Sequence, residues 1–112
     1  MNSFYADENI VSLDSFSFEE KFNNEKDAVI IDVRTLDEYK MLRIPNSILI
    51  DIYELNFFDK ILELDKSKTY FVYCRSGVRS LTACQQMKKL GFEKVYNLRD
   101  GIIEWESEVE SG

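Results

Sequence analysis

Two nearly unbroken apolar runs constrain the fold of this 112-residue chain more than any other feature. They span Ala28–Val33, where Asp32 is the single polar interruption, and Thr69–Tyr73. A strand with large apolar side chains at successive positions has to be buried on both faces, which is the situation inside a parallel sheet. Helical patterns separate these runs from shorter apolar segments. The sequence therefore predicts an α/β fold with a parallel sheet covered by helices on both faces.

The shorter elements alternate in the same way along the chain. Capping boxes at Ser17 with Glu20 and at Thr35 with Glu38 indicate two helix starts, and Gly91 is placed to end a later helix. The predicted strands are 9–12, 28–33, 48–50, 69–73 and 95–98, and the predicted helices are about 18–22, 35–42, 55–64, 80–90 and 101–110.

Length and composition favour a single domain over residues 1–112, because 45% hydrophobic residues are enough for one ordinary core. No apolar run approaches the roughly 18 residues of a membrane span. Residues 1–8 lack the basic and apolar regions of a secretory signal, and two cysteines do not form a disulfide framework. The expected location is therefore the reducing cytoplasm. A net charge of −7 argues against nucleic acid as the main partner.

Cys74 lies where the second apolar run changes into a short polar loop ahead of a helical pattern. Backbone N–H groups of such a loop and of a helix's first turn attract an anion, and Arg75 and Arg79 add positive charge beside the thiol. These surroundings favour the thiolate, which is the nucleophilic form of cysteine. Because the chain has no histidine, a Cys-His dyad is excluded, as are most zinc sites.

Charge is unevenly distributed around Cys74. Between Lys66 and Phe92 there are six lysines or arginines and no acid, although the chain as a whole is acidic. A basic region of this kind would attract small anions to the thiol. An alternative remains for Lys88 and Lys89, which also suit the C-terminal end of a helix.

Several short motifs occur in the order that is typical of single-domain rhodaneses, a family of sulfurtransferases, and the chain resembles them from about Ile10 to Trp105. The motifs are Asp32-Val33-Arg34, Glu38-Tyr39, Ile44-Pro45, Cys74 to Ser80, Gly91-Phe92, Val95 to Leu98, and Gly101 with Trp105. Two places depart from the family pattern. At residues 42–47 a Gly-His-Ile-Pro-Gly-Ala pattern is replaced by Leu-Arg-Ile-Pro-Asn-Ser, and Asp100-Gly101 stands where Gly-Gly is common. We expect local reshaping there without loss of activity.

The resemblance implies a five-stranded parallel sheet in a rhodanese-like domain with a core from about residue 10 to 106. It implies a sulfurtransferase of the thiosulfate type, in which catalytic Cys74 takes sulfane sulfur from thiosulfate or a related donor as a persulfide. The acceptor would be cyanide, a thiol or a protein thiol, and no cofactor, metal, nucleic acid or membrane is expected to take part. Asp32 and Arg34 are expected to support the site. The expected substrate-binding residues are Arg75, Ser76, Gly77, Val78, Arg79 and Ser80.

The four residues between Cys74 and Arg79 distinguish this chain from phosphatases of the same superfamily, which have five. A shorter ring is better matched to sulfur than to phosphate. Gly77 is expected to adopt a positive φ in the loop. Ser80 is expected to donate its hydroxyl or to cap the following helix.

The sequence is also compatible with other functions. A persulfide carrier or sulfur relay module would form the same persulfide but deliver it to a partner protein. A phosphatase or arsenate reductase would use the same fold, and a non-catalytic binding module would not use the thiol at all.

Several residues also have alternative roles. Cys84 belongs to an apolar helical stripe and is expected in the core, unless it resolves an oxidised Cys74. For Asp32 and Arg34 a scaffold role is favoured over substrate contact, because a pair between Arg34 and Glu38 across the first turn of a helix is one option. The aromatic residues Tyr53, Phe57, Phe58 and Trp105 are expected to pack, and the alternative for the first three is a place at the rim of the site.

Overall fold

The computed structural model describes residues 10–112 and shows a central, wholly parallel sheet in that part of the chain. The predictions for residues 1–8 and for Asn9 lie outside the described residues. Within 10–112 the strands are β1 (Val11–Leu13), β2 (Ala28–Asp32), β3 (Ile48–Leu49), β4 (Thr69–Tyr73) and β5 (Val95–Leu98). The α-helices are α1 (Ser15–Asn23), α2 (Leu36–Met41), α3 (Phe57–Leu62) and α4 (Val78–Lys89), followed by a 3-10 helix at Ile102–Glu104.

The strands lie in the order β1-β5-β4-β2-β3, and every neighbouring pair is parallel. The central strand β4 pairs with β2 along its whole length, and all of its side chains are buried. This confirms the α/β fold class and explains the unbroken apolar run, because β4 has no face in contact with water. No helix in the described range is long and apolar enough to cross a bilayer.

Alternate residues of the two long strands enter different hydrophobic clusters. Ile31 and Val72 join the cluster that includes residues of α3 and α4, while Ile30 and Phe71 join the cluster that includes Phe18 of α1. Since successive side chains of a strand point to opposite faces, helices cover the sheet on both sides, as predicted.

The site is positioned by the order of the strands. After β2 the chain runs outward to β3, whereas after β4 it turns to the other side and enters β5. Neighbouring parallel strands whose connections diverge leave a crevice at their carboxyl ends, and ligands bind in such crevices. Arg34 and Cys74 follow β2 and β4 at that edge, and the Val33 N–H donates to the carbonyl of Tyr73 across it at 3.1 Å.

Three local predictions are wrong. The capping residue of α1 is Asp14, whose carboxylate accepts from the Ser17 N–H at 2.8 Å, so Ser17 lies inside the helix. The strand predicted at 48–50 was also expected to be buried, like the two long apolar runs. It forms, but as a two-residue edge strand with Ile48 40% exposed, because it pairs with β2 on one side and has no strand on the other.

The third wrong prediction is the helix 101–110. Only Ile102–Glu104 forms a 3-10 turn, and Trp105 is already extended. Glutamates at 106 and 110 would repel each other at helical spacing. Residues beyond Trp105 instead run back towards α2. There Arg43 and Glu110 exchange backbone hydrogen bonds of 2.9 Å.

Candidate functional site

The sulfur of Cys74 lies at the start of α4 and accepts several hydrogen bonds from the loop. The Gly77 N–H donates to Sγ at 3.1 Å, the Ser80 N–H at 3.3 Å and the Ser80 hydroxyl at 3.3 Å. Both amides belong to the loop and first turn of α4, whose free N–H groups carry partial positive charge. The thiol is almost fully buried. This arrangement stabilises negative charge on sulfur without a basic side chain in direct contact.

The loop reaches this shape because Gly77 has φ +99°, as the sequence predicts. Gly77 is also the N-cap residue of α4, and the Leu81 N–H donates to its carbonyl at 3.1 Å. The alternative role of Ser80 as a helix cap is therefore wrong, since Ser80 lies in the first turn of α4 and its hydroxyl donates to the sulfur.

A second segment holds the loop from outside. The Ile102 N–H donates to the carbonyl of Cys74 at 2.9 Å, and the Ile103 N–H donates to that of Arg75 at 3.2 Å. Gly101 makes this approach possible, because a β-carbon there would lie 1.9 Å from the Arg75 carbonyl oxygen. The Asn97 side chain donates to the Gly77 carbonyl at 3.4 Å. The sulfur loop is thus fixed mainly through backbone contacts.

Arg79 does not point a free charge at the thiol, because its guanidinium forms a bidentate ion pair with Glu38. The two N–H···O distances are 2.9 and 3.0 Å. Glu38 also accepts from the backbone N–H and hydroxyl of Thr35, in the predicted capping box of α2. The hydrogen bonds from Arg79 lower the pKa of Glu38 to about 2. The optional Arg34–Glu38 pair does not form, since each residue has a different partner.

Asp32 and Arg34 form a buried ion pair of their own beside the site. The Arg34 Nε–H donates to Asp32 at 2.9 Å and an Nη2–H donates to it at 2.7 Å. Asp32 also accepts from the hydroxyl of Tyr73 at 2.7 Å, and Arg34 donates to the Leu42 carbonyl at 2.6 Å. Burial, with the charge of Asp32, raises the pKa of Tyr73. The contacts of Asp32 and Arg34 connect the end of β2 to β4 and to the segment after α2, which fits the predicted supporting role.

The basic sequence window does not surround the thiol. Lys66 and Lys68 precede β4 and lie a strand length of about 16 Å from the cysteine end. Lys88 and Lys89 occupy the last turn of α4, roughly 18 Å from its sulfur end. The four lysines therefore lie a full element length from Cys74, which leaves Arg75 and Arg79 as the cations of this region near the thiol, and the alternative for the last two lysines fits their placement.

Cys84 is buried in the cluster between the sheet and α4, as the apolar stripe predicts. Burial, with the nearby Cys74, raises the pKa of its thiol. Phe57 is also in that core, whereas Tyr53 is exposed and its ring lies 5.7 Å from the Arg79 guanidinium carbon. Trp105 packs against the opposite cluster. Of the three aromatic residues considered for the rim, Tyr53 lies against a residue of the site loop.

An open cleft of about 510 Å³ adjoins the loop. Arg75 and Glu38 line it, and so do the largely apolar side chains of Met41, Leu42, Ile103 and Val109. The last of these belongs to the segment that runs back towards α2. A smaller cavity of about 150 Å³ elsewhere is lined by Phe18 and Pro45, among others, and by no cysteine, lysine or arginine.

Comparison with known proteins assigns this geometry to a family. The model of the rhodanese-like domain matches residues 17–108. The chain belongs to the rhodanese-like family. It is 32% identical over 93 residues to a sulfurtransferase of Allochromatium vinosum, covering 83% of this chain and 85% of the relative. It is 33% identical over 82 residues to a thiosulfate sulfurtransferase of Coxiella burnetii, covering 73% and 75%.

A solved structure supports the same assignment. The crystal structure of a rhodanese-like domain protein from Staphylococcus aureus superposes with a TM-score of 0.79 at 28% identity, over 92% of this chain and 99% of that one.

The departure from the rhodanese pattern at residues 42–47 is accommodated locally. Asn46 replaces a family glycine and has φ +69°, a conformation that asparagine adopts more readily than most residues. Ser47 is buried, and its hydroxyl donates to the Ile44 carbonyl at 2.7 Å. The segment therefore keeps a tight turn without the glycine, and it contacts the Asp32–Tyr73 group rather than the sulfur.

Sequence reasoning missed the role of Glu38 in this rhodanese-like site. The residue appears in a family motif and in a capping box, but its partner Arg79 is 41 positions away. It also missed that Gly101, which has no β-carbon, allows the segment 101–103 to pack against the backbone of the loop. The replacement of Gly-Gly by Asp100-Gly101 was a usable signal, because the glycine that remains is the one at the close approach.

Proposed function

We propose that this chain is a sulfurtransferase that carries sulfane sulfur on Cys74. The observation that carries the proposal is the convergence of the Gly77 and Ser80 amides and the Ser80 hydroxyl on one buried sulfur. Donors fixed around a single atom stabilise the charge that develops there during reaction. The names of the two relatives agree with this chemistry.

The first half-reaction uses thiosulfate or a related sulfane donor. The Cys74 thiolate attacks the outer sulfur of thiosulfate and forms an S–S bond. The bond between the two sulfurs of thiosulfate breaks, and its electron pair leaves with sulfite. A dianion and a thiolate become a dianion and a persulfide anion, so atoms and charge balance and no proton has to move.

The second half-reaction returns the enzyme to its starting form. A nucleophilic acceptor attacks the outer sulfur of the persulfide, and the electron pair of the broken S–S bond returns to Cys74 Sγ. The hydrogen bonds from Gly77 and Ser80 then stabilise that sulfur as the leaving group. Since nucleophile and leaving group are both anions, the reaction needs no general base, which suits a chain without histidine.

Within the loop, we assign oxyanion binding to Arg75. It directly follows Cys74 and is exposed, and no ion pair engages it within residues 10–112. Ser76 and Val78 face outward next to it. We assign Arg79 a positioning role through Glu38, because that carboxylate already occupies its guanidinium.

Intact-mass analysis after thiosulfate treatment tests the proposal. We expect a gain of one sulfur atom in the wild-type chain, reversed by cyanide with release of thiocyanate. Cys74→Ala should show no gain. Cys84→Ala is the matched control, since this second cysteine is buried in the core, and it should gain sulfur like the wild type. No gain with any sulfane donor, or a gain that survives Cys74→Ala, would overturn the assignment.

A further inference from the structure

We infer that the cleft beside the sulfur loop binds the acceptor, and that this acceptor is an organic thiol with an apolar body and one anionic group. The inference rests on the proposed function and specifies its second substrate. It depends on the charges left unpaired at the cleft, on the nature of its walls and on its connection to the loop.

Charge around the cleft is largely compensated. Arg79 is paired with Glu38 and Arg34 with Asp32, at 2.9 and 2.7 Å. Arg75 remains, with no ion pair to any residue between 10 and 112. One uncompensated cation at the edge of the cleft complements a ligand with one anionic group.

The walls of the cleft are more apolar than an inorganic anion requires. Met41 is 77% exposed and Ile103 is 56% exposed, and Leu42 and Val109 are also exposed there. Large apolar side chains gathered on an open surface indicate a binding site. The cleft volume of about 510 Å³ is far larger than cyanide or sulfite needs. A ligand that fills it gains affinity by burying these side chains.

The cleft is joined to the reacting sulfur through the backbone. Ile103, on its wall, donates to the carbonyl of Arg75, and the preceding Ile102 donates to that of Cys74. On the other side, Glu38 holds Arg79 at the far end of the loop. A molecule in the cleft therefore lies against Arg75, the residue that follows the reacting cysteine, and against the segment that is hydrogen-bonded to the loop.

The reaction assigned to this ligand is a sulfur transfer without net oxidation. The thiolate of the acceptor attacks the outer sulfur of the Cys74 persulfide and forms a new S–S bond. The old S–S bond breaks with its electron pair on Cys74 Sγ. The products are the Cys74 thiolate and the persulfide of the acceptor, so two anions give two anions.

N-acylcysteines provide the probes, because they combine a thiol, a carboxylate and an acyl group of chosen size. With thiosulfate as donor, we expect kcat/KM to be roughly fivefold or more higher for N-benzoylcysteine than for N-acetylcysteine, since the ring is buried in the cleft. The double variant Met41→Ser, Ile103→Ser should bring this ratio close to one. Phe16→Ser is the matched control, because Phe16 is equally exposed but lies outside the cleft, and it should keep the wild-type ratio.

The carboxylate is tested separately with the methyl ester of N-benzoylcysteine. We expect the wild-type chain to prefer the acid and Arg75→Gln to lose that preference. Comparing ratios between variants cancels the intrinsic reactivity of each thiol and any change in the thiosulfate step.

The outcomes separate the two proposals. If Cys74 gains no sulfur, the proposed function fails, and the acceptor site fails with it. If sulfur passes to cyanide but to no N-acylcysteine, the acceptor-site inference is wrong while the proposed function stands. Equal use of the acetyl and benzoyl compounds, or a preference that survives the double variant, would also overturn the cleft assignment.

Discussion

At the scale of single residues, the sulfur loop depends on two close contacts that only glycine permits. A β-carbon on Gly77 would lie 2.0 Å from the carbonyl oxygen of Arg99. A β-carbon on Gly101 would likewise lie 1.9 Å from the carbonyl oxygen of Arg75. The backbone of the loop is therefore enclosed by the residues that follow β5, and a side chain at either position would push the two segments apart.

Comparing Gly77→Ala with Gly91→Ala shows how much the close contact at Gly77 contributes to the free energy of unfolding. Both glycines have φ +99°, so alanine is strained equally at each, by about 1–2 kcal/mol. At Gly91 the added carbon meets only the flexible Lys66 side chain, at 3.6 Å. We expect Gly77→Ala to lower the free energy of unfolding by at least about 1 kcal/mol more than Gly91→Ala. Urea unfolding of both variants checks this, and equal losses would contradict the role of the contact.

The residues with a local signature were predictable from sequence, and those that depend on distant partners were not. Cys74 and Gly77 follow from a strand, a polar loop and a helix start that are adjacent in the chain. The pairing of Arg79 with Glu38 follows from β2 and β4 being neighbours, which brings residues far apart in sequence to one edge of the sheet. The Arg79–Glu38 ion pair could therefore be predicted only after the order of the strands was known.

At the scale of secondary-structure elements, one ion pair joins the first turns of the two helices that lead away from the site. Glu38 belongs to α2 and Arg79 to α4, and each side chain is about three-quarters buried. The carboxylate is additionally held by Thr35. The pair therefore connects the sulfur loop to the capping box of α2, the helix that follows β2.

This pair should make stability depend on pH in a defined window. The pKa of Glu38 is about 2 in the folded protein against an ordinary 4.5. Because the folded pKa is the lower one, the stabilisation is present above about pH 4.5 and is lost as the pH falls towards 2. We expect Glu38→Gln to be less stable than wild type at pH 7 by roughly 1 kcal/mol or less. The difference in unfolding free energy between wild type and Glu38→Gln should be smaller at pH 3.

Urea unfolding of the two proteins at both pH values provides the measurement. Glu25→Gln is a suitable control, since Glu25 forms a longer ion pair of 3.5 Å with Lys21, and both side chains are more exposed than those of Arg79 and Glu38. It should show little effect at either pH. A Glu38→Gln difference that stays constant between pH 7 and pH 3 would mean that charge on this carboxylate does not hold the helices together.

Most elements were predicted because their side chains alternate or repeat in ways that depend only on local geometry. β4, β5 and α4 match their patterns to within two residues. The segment after Trp105 was mispredicted as the continuation of a helix that starts near Gly101. Its actual course is set by backbone pairing with Arg43, more than sixty residues earlier. No local pattern reports a contact of that range.

At the scale of the whole molecule, the positive charges of the region between Lys66 and Phe92 are divided between the two ends of the central strand β4. The lysines of this region lie towards the amino-terminal end of β4, and the sulfur of Cys74 lies at its carboxyl end. The buried Cys84 lies between them in the hydrophobic core. Its access to solvent therefore depends on opening of the fold.

Alkylation of Cys84 should report unfolding of the entire core. Burial raises the pKa of this thiol, so it stays protonated and enclosed in the folded state. In Cys74→Ala, which has Cys84 as its one thiol, we expect iodoacetamide to react far more slowly than with free cysteine. The rate should rise with urea in parallel with loss of circular dichroism. Intact-mass kinetics measure it.

The labelling rate of Cys74→Ala in concentrated urea gives the reference rate for an exposed thiol. Rapid labelling in buffer without urea, with the circular dichroism unchanged, would show that the core around α4 opens locally and that Cys84 is accessible to oxidants in the folded protein.

The orientation of the loop side chains has a consequence for how such a site diversifies. The groups that contact the sulfur are two amides and one inward hydroxyl, whereas the side chains of Arg75, Ser76 and Val78 face solvent. Substitution at these three positions alters what the protein presents to an approaching molecule without altering what surrounds the sulfur. Under the proposed function, the sulfur chemistry and the choice of reactant therefore depend on separate atoms of one short loop. A library restricted to these three codons would vary the choice of reactant while preserving the groups around the sulfur.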